Sequence, residues 1–459
     1  MSDIVRATLV FGELTFLGYG LLRLMGPTEA RSGERLLLGL ALALGLIPLA
    51  LFLVLLAGGH LGLIPAWLVL AGGSLGFALW IAHAYRSGWS RPRNSTPHML
   101  ALGSPGQVFL VGIVAVLVIE KFVFASIQGF SFPAYFWDTV ANWNYRAKIL
   151  HATGRLDLDP YSNAFLGGEM AHYPLGPSLF RAWLATLLGK WSDPAVAFHS
   201  IVTYVLLFGM IWVRLSKRIG WWCGLVLAYF AVSIPLMTYH AFAGYADLLV
   251  TFFLTACLIY CFEYITARDA FSGHVSALFL AAVLFTKNEG IVLILPALTI
   301  TVLIAAWSGR VAWLSAVSYL AIAIGPVVPW IVLKAYLGLS YAPTEANAGL
   351  AFHVEGLPRL FAVVFLQGSF NLFGSFFLLT VWLLAPLWWK TEVGFLALPV
   401  WLFFGAILAA FLFTDNYEFL ENQMSINRTL MMAMPSYVYL AGVSFGRKWQ
   451  REGATNSPQ

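Results

Sequence analysis

Thirteen long apolar stretches restrict this chain more than any other feature of its sequence. They cover residues 4–24, 36–57, 64–85, 107–127, 194–215, 221–240, 247–265, 274–286, 291–306, 311–335, 371–389, 395–414 and 429–445. A helix of about 20 apolar residues crosses a bilayer, and a helix satisfies its own backbone hydrogen bonds in lipid. We therefore predict an all-α polytopic membrane protein with about thirteen transmembrane helices.

The composition excludes a soluble globular protein. Hydrophobic residues make up 60% of the 459 residues and charged residues 10%, whereas soluble domains are about 25% charged. The net charge of +5 is explained by membrane topology, so no nucleic-acid partner is predicted. The three cysteines cannot supply a disulfide framework or a four-ligand zinc site. No metal ligands are assigned, and the cofactor is left unknown, with a divalent metal as one option.

The distribution of lysine and arginine predicts the orientation. Basic residues concentrate in alternate connections, including those around Arg91, Lys217 and Lys390, and after Phe445. Because cytoplasmic loops carry the basic excess, we place this side in the cytoplasm. The N-terminus is then outside and the C-terminus cytoplasmic. The long polar segments, residues 128–193, 336–370 and 415–428, face outward, and any chemistry is expected there.

The first outward segment contains a candidate acidic residue, Asp138, at the start of an amphipathic helix. Apolar residues recur on one helical face, at Val140, Trp143, Ala147 and Leu150. The helix is expected to lie in the membrane interface, with Asn142 and Arg146 directed to water or headgroups. Asp138 is either an N-cap that accepts hydrogen bonds from the first turn or a functional carboxylate.

Four further polar elements are predicted at the outer face. His172 and Tyr173 lie in a Pro/Gly-rich loop that either is a simple hinge or shapes a substrate site. Asp247 lies at the outer end of a span, where the sequence is equally compatible with a helix cap and with a functional site.

The other two elements carry cations. Lys287 and Glu289 belong to a turn with more strong hydrogen-bonding groups than a tight connection needs, which favours a site over a local salt bridge. Arg428 lies at the outer end of the last span, where an arginine either binds a ligand or snorkels to lipid headgroups.

In their order and sidedness, these elements resemble the membrane glycosyltransferases of the GT-C superfamily. The similarity is to family 39-type bacterial relatives of the protein O-mannosyltransferases and of the lipid A aminoarabinose transferase. The matching stretches are WDTVANWNYRAKIL, HYPLGPSL, GYADLL, TKNEG and NRTLMMAMP. The resemblance implies GT-C-like interfacial helices in the first large outer loop. It departs from the usual pattern at Thr139, where a second acidic residue is common.

The resemblance also implies a reaction. A sugar would pass from a polyprenyl phosphate to an acceptor hydroxyl, with inversion, in the synthesis of a cell-envelope glycan. Asp138 would be the catalytic base, and Lys287 and Arg428 would hold the phosphate. The other candidate donor-binding residues are Glu289, His172, Tyr173, Asp247 and Arg146. The expected partners are the lipid-linked donor, a glycan, lipid or protein acceptor, and membrane lipids.

The predicted organisation has three parts. Residues 1–106 form an N-terminal three-helix addition with a basic cytoplasmic loop, residues 107–445 a GT-C-like catalytic body, and residues 446–459 a basic cytoplasmic tail. Three alternatives stay open: an O-antigen polymerase or ligase, a lipid or polysaccharide transporter, and a membrane scaffold without activity. A transporter would place polar groups near the bilayer midplane, whereas the polar residues here concentrate at one face.

Overall fold

The fold consists of α-helices. The computed structural model describes residues 3–25, 32–63, 66–86, 104–168, 170–341, 351–414, 416–421 and 425–455. Within these ranges there is no β-strand, and a single isolated bridge joins Asp157 to Phe165. The helices are α1 (Asp3–Leu24), α2 (Ser32–Leu56), α3 (Ala66–Arg86), α4 (Pro105–Ser131), α5 (Asn144–Thr153), α6 (Gly176–Leu188), α7 (Asp193–Ile219), α8 (Trp221–Val232), α9 (Pro235–Ala243), α10 (Asp247–Ala267), α11 (Ala270–Leu284), α12 (Leu295–Trp307), α13 (Trp313–Ile324), α14 (Val328–Tyr336), α15 (Gly356–Phe361), α16 (Phe373–Lys390), α17 (Gly394–Leu412), α18 (Tyr417–Glu421) and α19 (Ile426–Thr455). Three π-helical segments, Thr139–Trp143, Gly290–Ile294 and Ala362–Leu366, interrupt or extend them.

Nine helices in the described ranges are long and apolar enough to cross a membrane. They are α1, α2, α4, α7, α10, α16, α17, the helix formed by the second π-helical segment with α12, and the helix formed by α13 with α14. The pair α8 and α9 would make a tenth span, bent by 68°. The expectation of an all-α polytopic membrane protein is confirmed.

Three other predicted spans are also helical in the structure. The described part of the predicted span 64–85, residues 66–85, lies in α3. Residues 274–286 fall mostly in the 15-residue helix α11, and residues 429–445 lie within α19. The count of thirteen and the outside position of the N-terminus stay predictions. Arg91 and most of the predicted basic loop, residues 87–103, lie outside the described residues.

Helix α10 forms the centre of the bundle. Nearly all its side chains are buried, and it packs against α7, α11 and α19. Helix α4 instead exposes many apolar side chains, such as Phe109 and Val116. A helix that is apolar all round suits either a protein core or a lipid contact. Helix α10 is an example of the first and α4 of the second. Since α2 packs against α6 and α11, the first helices contact the predicted catalytic body directly.

The predicted division of the chain is not tested by these contacts. However, α19 continues unbroken to Thr455, so the boundary expected at residue 445 falls inside a helix. The amphipathic segment after Asp138 and the helix α6 are both present in the first long loop, but α6 is buried on all sides in its first two turns. Their location in a membrane interface stays a prediction.

A glycine turn between α9 and α10 determines where α10 begins. Gly244 ends α9 in the left-handed conformation, with φ at +75°, which costs a glycine little. A Cβ there would also approach Cγ2 of Thr139 to 3.2 Å. The turn therefore brings the start of α10 directly against the segment that follows Asp138.

Candidate functional site

Five ionisable side chains form a continuous line of alternating charge at this end of the bundle. Nη2 of Arg428 lies 2.6 Å from Oδ2 of Asp138 and 2.7 Å from Oδ2 of Asp247. Nζ of Lys287 lies 3.0 Å from Oδ1 of Asp247 and 2.8 Å from Oε1 of Glu289. All five residues are sequence-predicted candidates, and the structure brings them into direct contact. We call Asp138, Arg428, Asp247, Lys287 and Glu289 the charged line.

The charged line is closed at its centre and open at its ends. The exposed fraction of the side chain is 0% for Asp247 and 5% for Lys287, but 20% for Asp138 and 24% for both Arg428 and Glu289. Burial disfavours the charged form of Lys287, yet the carboxylates of Asp247 and Glu289 outweigh it and hold its pKa above the usual value. The ammonium therefore stays charged at neutral pH. A ligand can reach the line most readily at Asp138, Arg428 and Glu289.

Asp138 does not act as a helix cap. Its side chain makes no capping hydrogen bond to the backbone. Instead Oδ2 accepts hydrogen bonds from Nε1 of Trp143, at 3.2 Å, and from Nη2 of Arg428. The structure shows no hydrogen bond from the described residues to the other oxygen, Oδ1. Asp138 directly precedes the π-helical segment Thr139–Trp143, a type of distortion that is frequent at functional sites.

Tyr173 lies against the charged line without joining it. Its ring is 5.9 Å from Nζ of Lys287, and its centroid is 5.6 Å from that of Trp143. Burial, followed by the negative charge of Glu289, raises the pKa of Tyr173 to about 12. The hydroxyl is therefore protonated at neutral pH.

His172 makes its hydrogen bonds near the site through its backbone carbonyl group rather than through its ring. Its carbonyl oxygen accepts hydrogen bonds from Nδ2 of Asn288, at 3.2 Å, and from Nζ of Lys334. The ring nitrogen Nε2 is enclosed and has no partner among the residues described. Burial, together with the charges of Lys334 and Arg146, lowers the pKa of His172 to about 4. The imidazole is neutral at pH 7.

The expectation that Arg146 faces water or headgroups is wrong. Its side chain is fully buried, as is that of Asn142. The guanidinium donates to the carbonyl oxygens of Leu166, at 3.2 and 3.3 Å, and of Tyr173, at 3.1 Å. Carbonyl groups of a buried irregular loop need donors inside the protein, and Arg146 supplies them. It supports the loop that carries Tyr173 and does not contact the charged line.

Two buried cations near the site were not among the predicted site residues. Arg181 donates to Oδ1 of Asn144, at 2.9 Å, and to the carbonyl oxygen of Gly244. Lys334 is fully buried and donates to the carbonyl oxygen of His172. The sequence carries one signal for both, since a cation within an apolar helix is costly and commonly functional.

Among the residues that the structure describes around the charged line, cations outnumber carboxylates. Among the described residues, the three carboxylates of the line stand against five cations. The cations are Arg428, Lys287, Arg146, Arg181 and Lys334. The last three contact only neutral oxygens and rings in the described residues. Because buried charges are costly without a counter-charge, an anionic ligand would offset this excess.

A cavity of about 300 Å³ lies beside the charged line. Glu289 and Tyr173 form part of its wall, and Tyr341, Asn416 and Phe419 form other parts. A volume near 300 Å³ is at the lower end of the range for small-molecule sites. Aromatic rings with a few polar groups are also the usual lining of such sites. In the described ranges no three His, Cys, Asp or Glu side chains are arranged to hold a metal ion.

No protein-family model matches the chain, and no curated protein matches it. Among solved structures, the chain is similar to the crystal structure of ArnT from Cupriavidus metallidurans in the apo state, with a TM-score of 0.47 and 14% sequence identity. The match covers 76% of this chain and 62% of that one, which is less than two thirds of the ArnT chain.

Proposed function

We propose that this protein transfers a sugar from a polyprenyl-phosphate donor to an acceptor hydroxyl at the extracytoplasmic membrane face, with inversion. One observation carries the proposal. Arg428, a side chain suited to phosphate, touches Asp138, a partly exposed carboxylate, in a charged line whose other end, Glu289, forms part of the wall of a cavity of small-molecule size. The reaction needs these functions together, because a proton leaves the acceptor while negative charge grows on the departing phosphate.

Asp138 is the proposed catalytic base. In a single displacement, the acceptor oxygen bonds to the anomeric carbon, the bond from that carbon to the phosphate oxygen breaks, and the acceptor proton passes to the base. Oδ2 of Asp138 is engaged by Arg428 and Trp143, so the proton is received by Oδ1. Trp143 and Arg428 thereby orient the carboxylate, as a positioned base requires.

Arg428 is the proposed principal phosphate ligand. A guanidinium can bind two phosphate oxygens through parallel hydrogen bonds, and Arg428 is a partly exposed member of the charged line that contacts its open end, Asp138. Lys287 is more enclosed, and both its contacts are to carboxylates, so its charge acts on the phosphate over a longer distance. The five cations against three carboxylates among the described residues support an anionic donor. Asp247 holds the two cations at a fixed separation.

The remaining predicted residues take supporting roles in this proposal. Tyr173 and Glu289 line the cavity that would receive the sugar, while Arg146 and the backbone of His172 hold the loop that presents Tyr173. Residues 107–445 would form the catalytic body in a bacterial inner membrane. The N-terminus would be outside and the C-terminus cytoplasmic, which places the charged line on the outer side.

The test is a transfer assay with the full-length protein in membrane vesicles. The donors are undecaprenyl phosphates that carry hexoses, N-acetylhexosamines or pentoses, and the readout is release of undecaprenyl phosphate. We expect at least one donor to be consumed by the wild type and not by Asp138→Asn. A wild type that consumes no donor of the panel, or consumes one equally well as Asp138→Asn, contradicts the proposal. Movement of an intact donor between leaflets would favour a transporter instead.

A further inference from the structure

Glu289 has one carboxylate oxygen engaged and one without a partner. Oε1 lies 2.8 Å from Nζ of Lys287. Oε2 is enclosed by the protein but receives no hydrogen bond from any residue that the structure describes. An enclosed carboxylate oxygen without a donor is unfavourable, because it has lost water without gaining a partner. A bound ligand that donates a hydrogen bond would remove this penalty.

The position of Glu289 on the cavity wall is set by tight backbone packing. The next residue, Gly290, lies so close to α11 that a Cβ there would come within 2.6 Å of the carbonyl oxygen of Val283. Lys287 holds the other end of the side chain through Oε1. Glu289 is thus fixed from both directions, and it lines the same cavity as Tyr173 and Tyr341.

The surroundings of Glu289 indicate what kind of group would approach it. Aromatic rings such as those of Tyr173 and Tyr341 offer flat apolar faces, while Asn416, Ser425 and Thr429 place amide and hydroxyl groups among the other lining residues. This combination suits a compact ring that carries several hydroxyl groups. A ring hydroxyl donates one hydrogen bond, which is what Oε2 lacks.

We infer that Oε2 of Glu289 accepts a hydrogen bond from a ring hydroxyl of the transferred sugar, so that Glu289 determines which sugar is accepted. The inference rests on the proposed function and assigns one end of the donor to the cavity. The phosphate lies at Arg428, and the sugar extends past Lys287 towards Glu289. Because Glu289 contacts Lys287, and Lys287 contacts Asp247, the sugar and phosphate ends are linked through the charged line.

The test compares donor binding by the purified full-length wild type and by Glu289→Gln. Glutamine keeps an oxygen for Lys287 but places an NH₂ group, a donor, at the position of Oε2. The probes are undecaprenyl phosphate alone, the sugar donors of the panel above, and analogues of the tightest-binding donor in which one ring hydroxyl at a time is replaced by hydrogen. Glu120→Gln is the matched control, because Glu120 is a half-exposed carboxylate of α4 whose ion pair is with Lys121 and not with the charged line.

We expect Glu289→Gln to weaken binding of the intact donor about tenfold or more, the usual effect of losing a hydrogen bond to a charged group. The analogue that lacks the hydroxyl bound by Oε2 should bind the wild type and Glu289→Gln with equal affinity. Undecaprenyl phosphate alone should also bind both proteins with equal affinity. Glu120→Gln should behave as the wild type with every probe.

Two results would overturn the inference while leaving the proposed function intact. One is an equal loss of affinity for the donor and for undecaprenyl phosphate alone, which would mean that Glu289 acts only through Lys287. The other is unchanged donor binding by Glu289→Gln. A wild type that binds undecaprenyl phosphate but none of the sugar donors more tightly would contradict the proposed function itself, and the inference with it.

Discussion

Nη2 of Arg428 lies 2.6 Å from Oδ2 of Asp138, although 290 positions separate the two residues in the sequence. The contact joins the first turn of α19 to the segment that begins the first long loop. Asp247, at the start of α10, accepts hydrogen bonds from Nε and Nη2 of the same guanidinium. Three distant segments therefore meet at one arginine, and the predictions below test what that meeting point does.

Replacing Asp138 by asparagine should leave the fold intact and nearly abolish transfer. The amide oxygen of asparagine can still accept from Nε1 of Trp143, but it cannot take the acceptor proton. Loss of a positioned base usually lowers kcat by about a hundredfold to ten-thousandfold. The measurement is kcat in the transfer assay, beside thermal unfolding of the purified protein.

Asp159→Asn is the control for this change. Asp159 accepts from the backbone N–H of Tyr161 in an exposed turn of the same loop, so its replacement should not alter kcat. Near-normal turnover by Asp138→Asn would show that Asp138 is not the base.

Arg428→Lys should fall well short of the wild type in donor affinity. An ammonium cannot reproduce the parallel hydrogen bonds that a guanidinium makes to carboxylates and phosphates. Arg428→Ala should raise the donor KM by about tenfold or more, since one hydrogen bond to a charged group is worth roughly 1.5–3 kcal/mol. Lys287→Ala should raise it less, because the charge of Lys287 acts on the phosphate over a longer distance. Arg155→Ala, on the exposed surface of the first loop, is the control. Unchanged KM and kcat in all three site variants would rule out a phosphate site at this position.

Asn163 and Ser308 should lie on opposite sides of the membrane. Both are exposed in the structure, the first in the long loop before α6 and the second after α12. Single cysteines are introduced at each position in a protein without Cys223, Cys257 and Cys261. A membrane-impermeant maleimide should label intact cells only for Asn163→Cys, and both variants after the membrane is permeabilised. Labelling of Ser308→Cys in intact cells would reverse the orientation.

His172 should make the folded protein less stable towards acid. Its pKa is lowered to about 4 in the folded state, from about 6.5 in the unfolded chain. Between these values the unfolded chain binds more protons, so the free energy of unfolding falls as the pH falls. His172→Asn should lose stability less steeply between pH 6.5 and pH 4. Parallel slopes for the two proteins in unfolding experiments across this range would contradict the assignment.

The membrane helices were predictable because each is encoded by its own stretch of sequence. Apolar runs gave the positions of nearly all of them, since burial in lipid or in the core demands the same side chains. The bend between α8 and α9 was missed within the run 221–240, although Pro235, at the start of α9, cannot continue the helix before it. The extension of α19 past residue 445 was missed because its basic residues suggested a separate tail.

The candidate site was predictable in its membership but not in its pairing. Polar residues at the outer ends of spans identified Asp247 and Arg428, since such residues are costly beside lipid. The start of an amphipathic helix in the first outward segment identified Asp138. Which carboxylate meets which cation depends on helix packing across hundreds of residues, and no local pattern encodes it. Arg146 was misplaced for a related reason. Periodicity defines the faces of a helix, but it does not say which face meets the rest of the protein.

The shared contacts of Asp247 have a consequence for how the site responds to substitution. Asp247 touches Arg428 and Lys287, and each of these touches a second carboxylate. Residues that share one salt-bridge network have non-additive effects when they are replaced. Asp247→Asn should therefore release both cations at once, and its effect on the donor KM should overlap with that of Arg428→Ala rather than add to it. In this respect the five residues behave as a single structural unit that is spread over several segments of the chain.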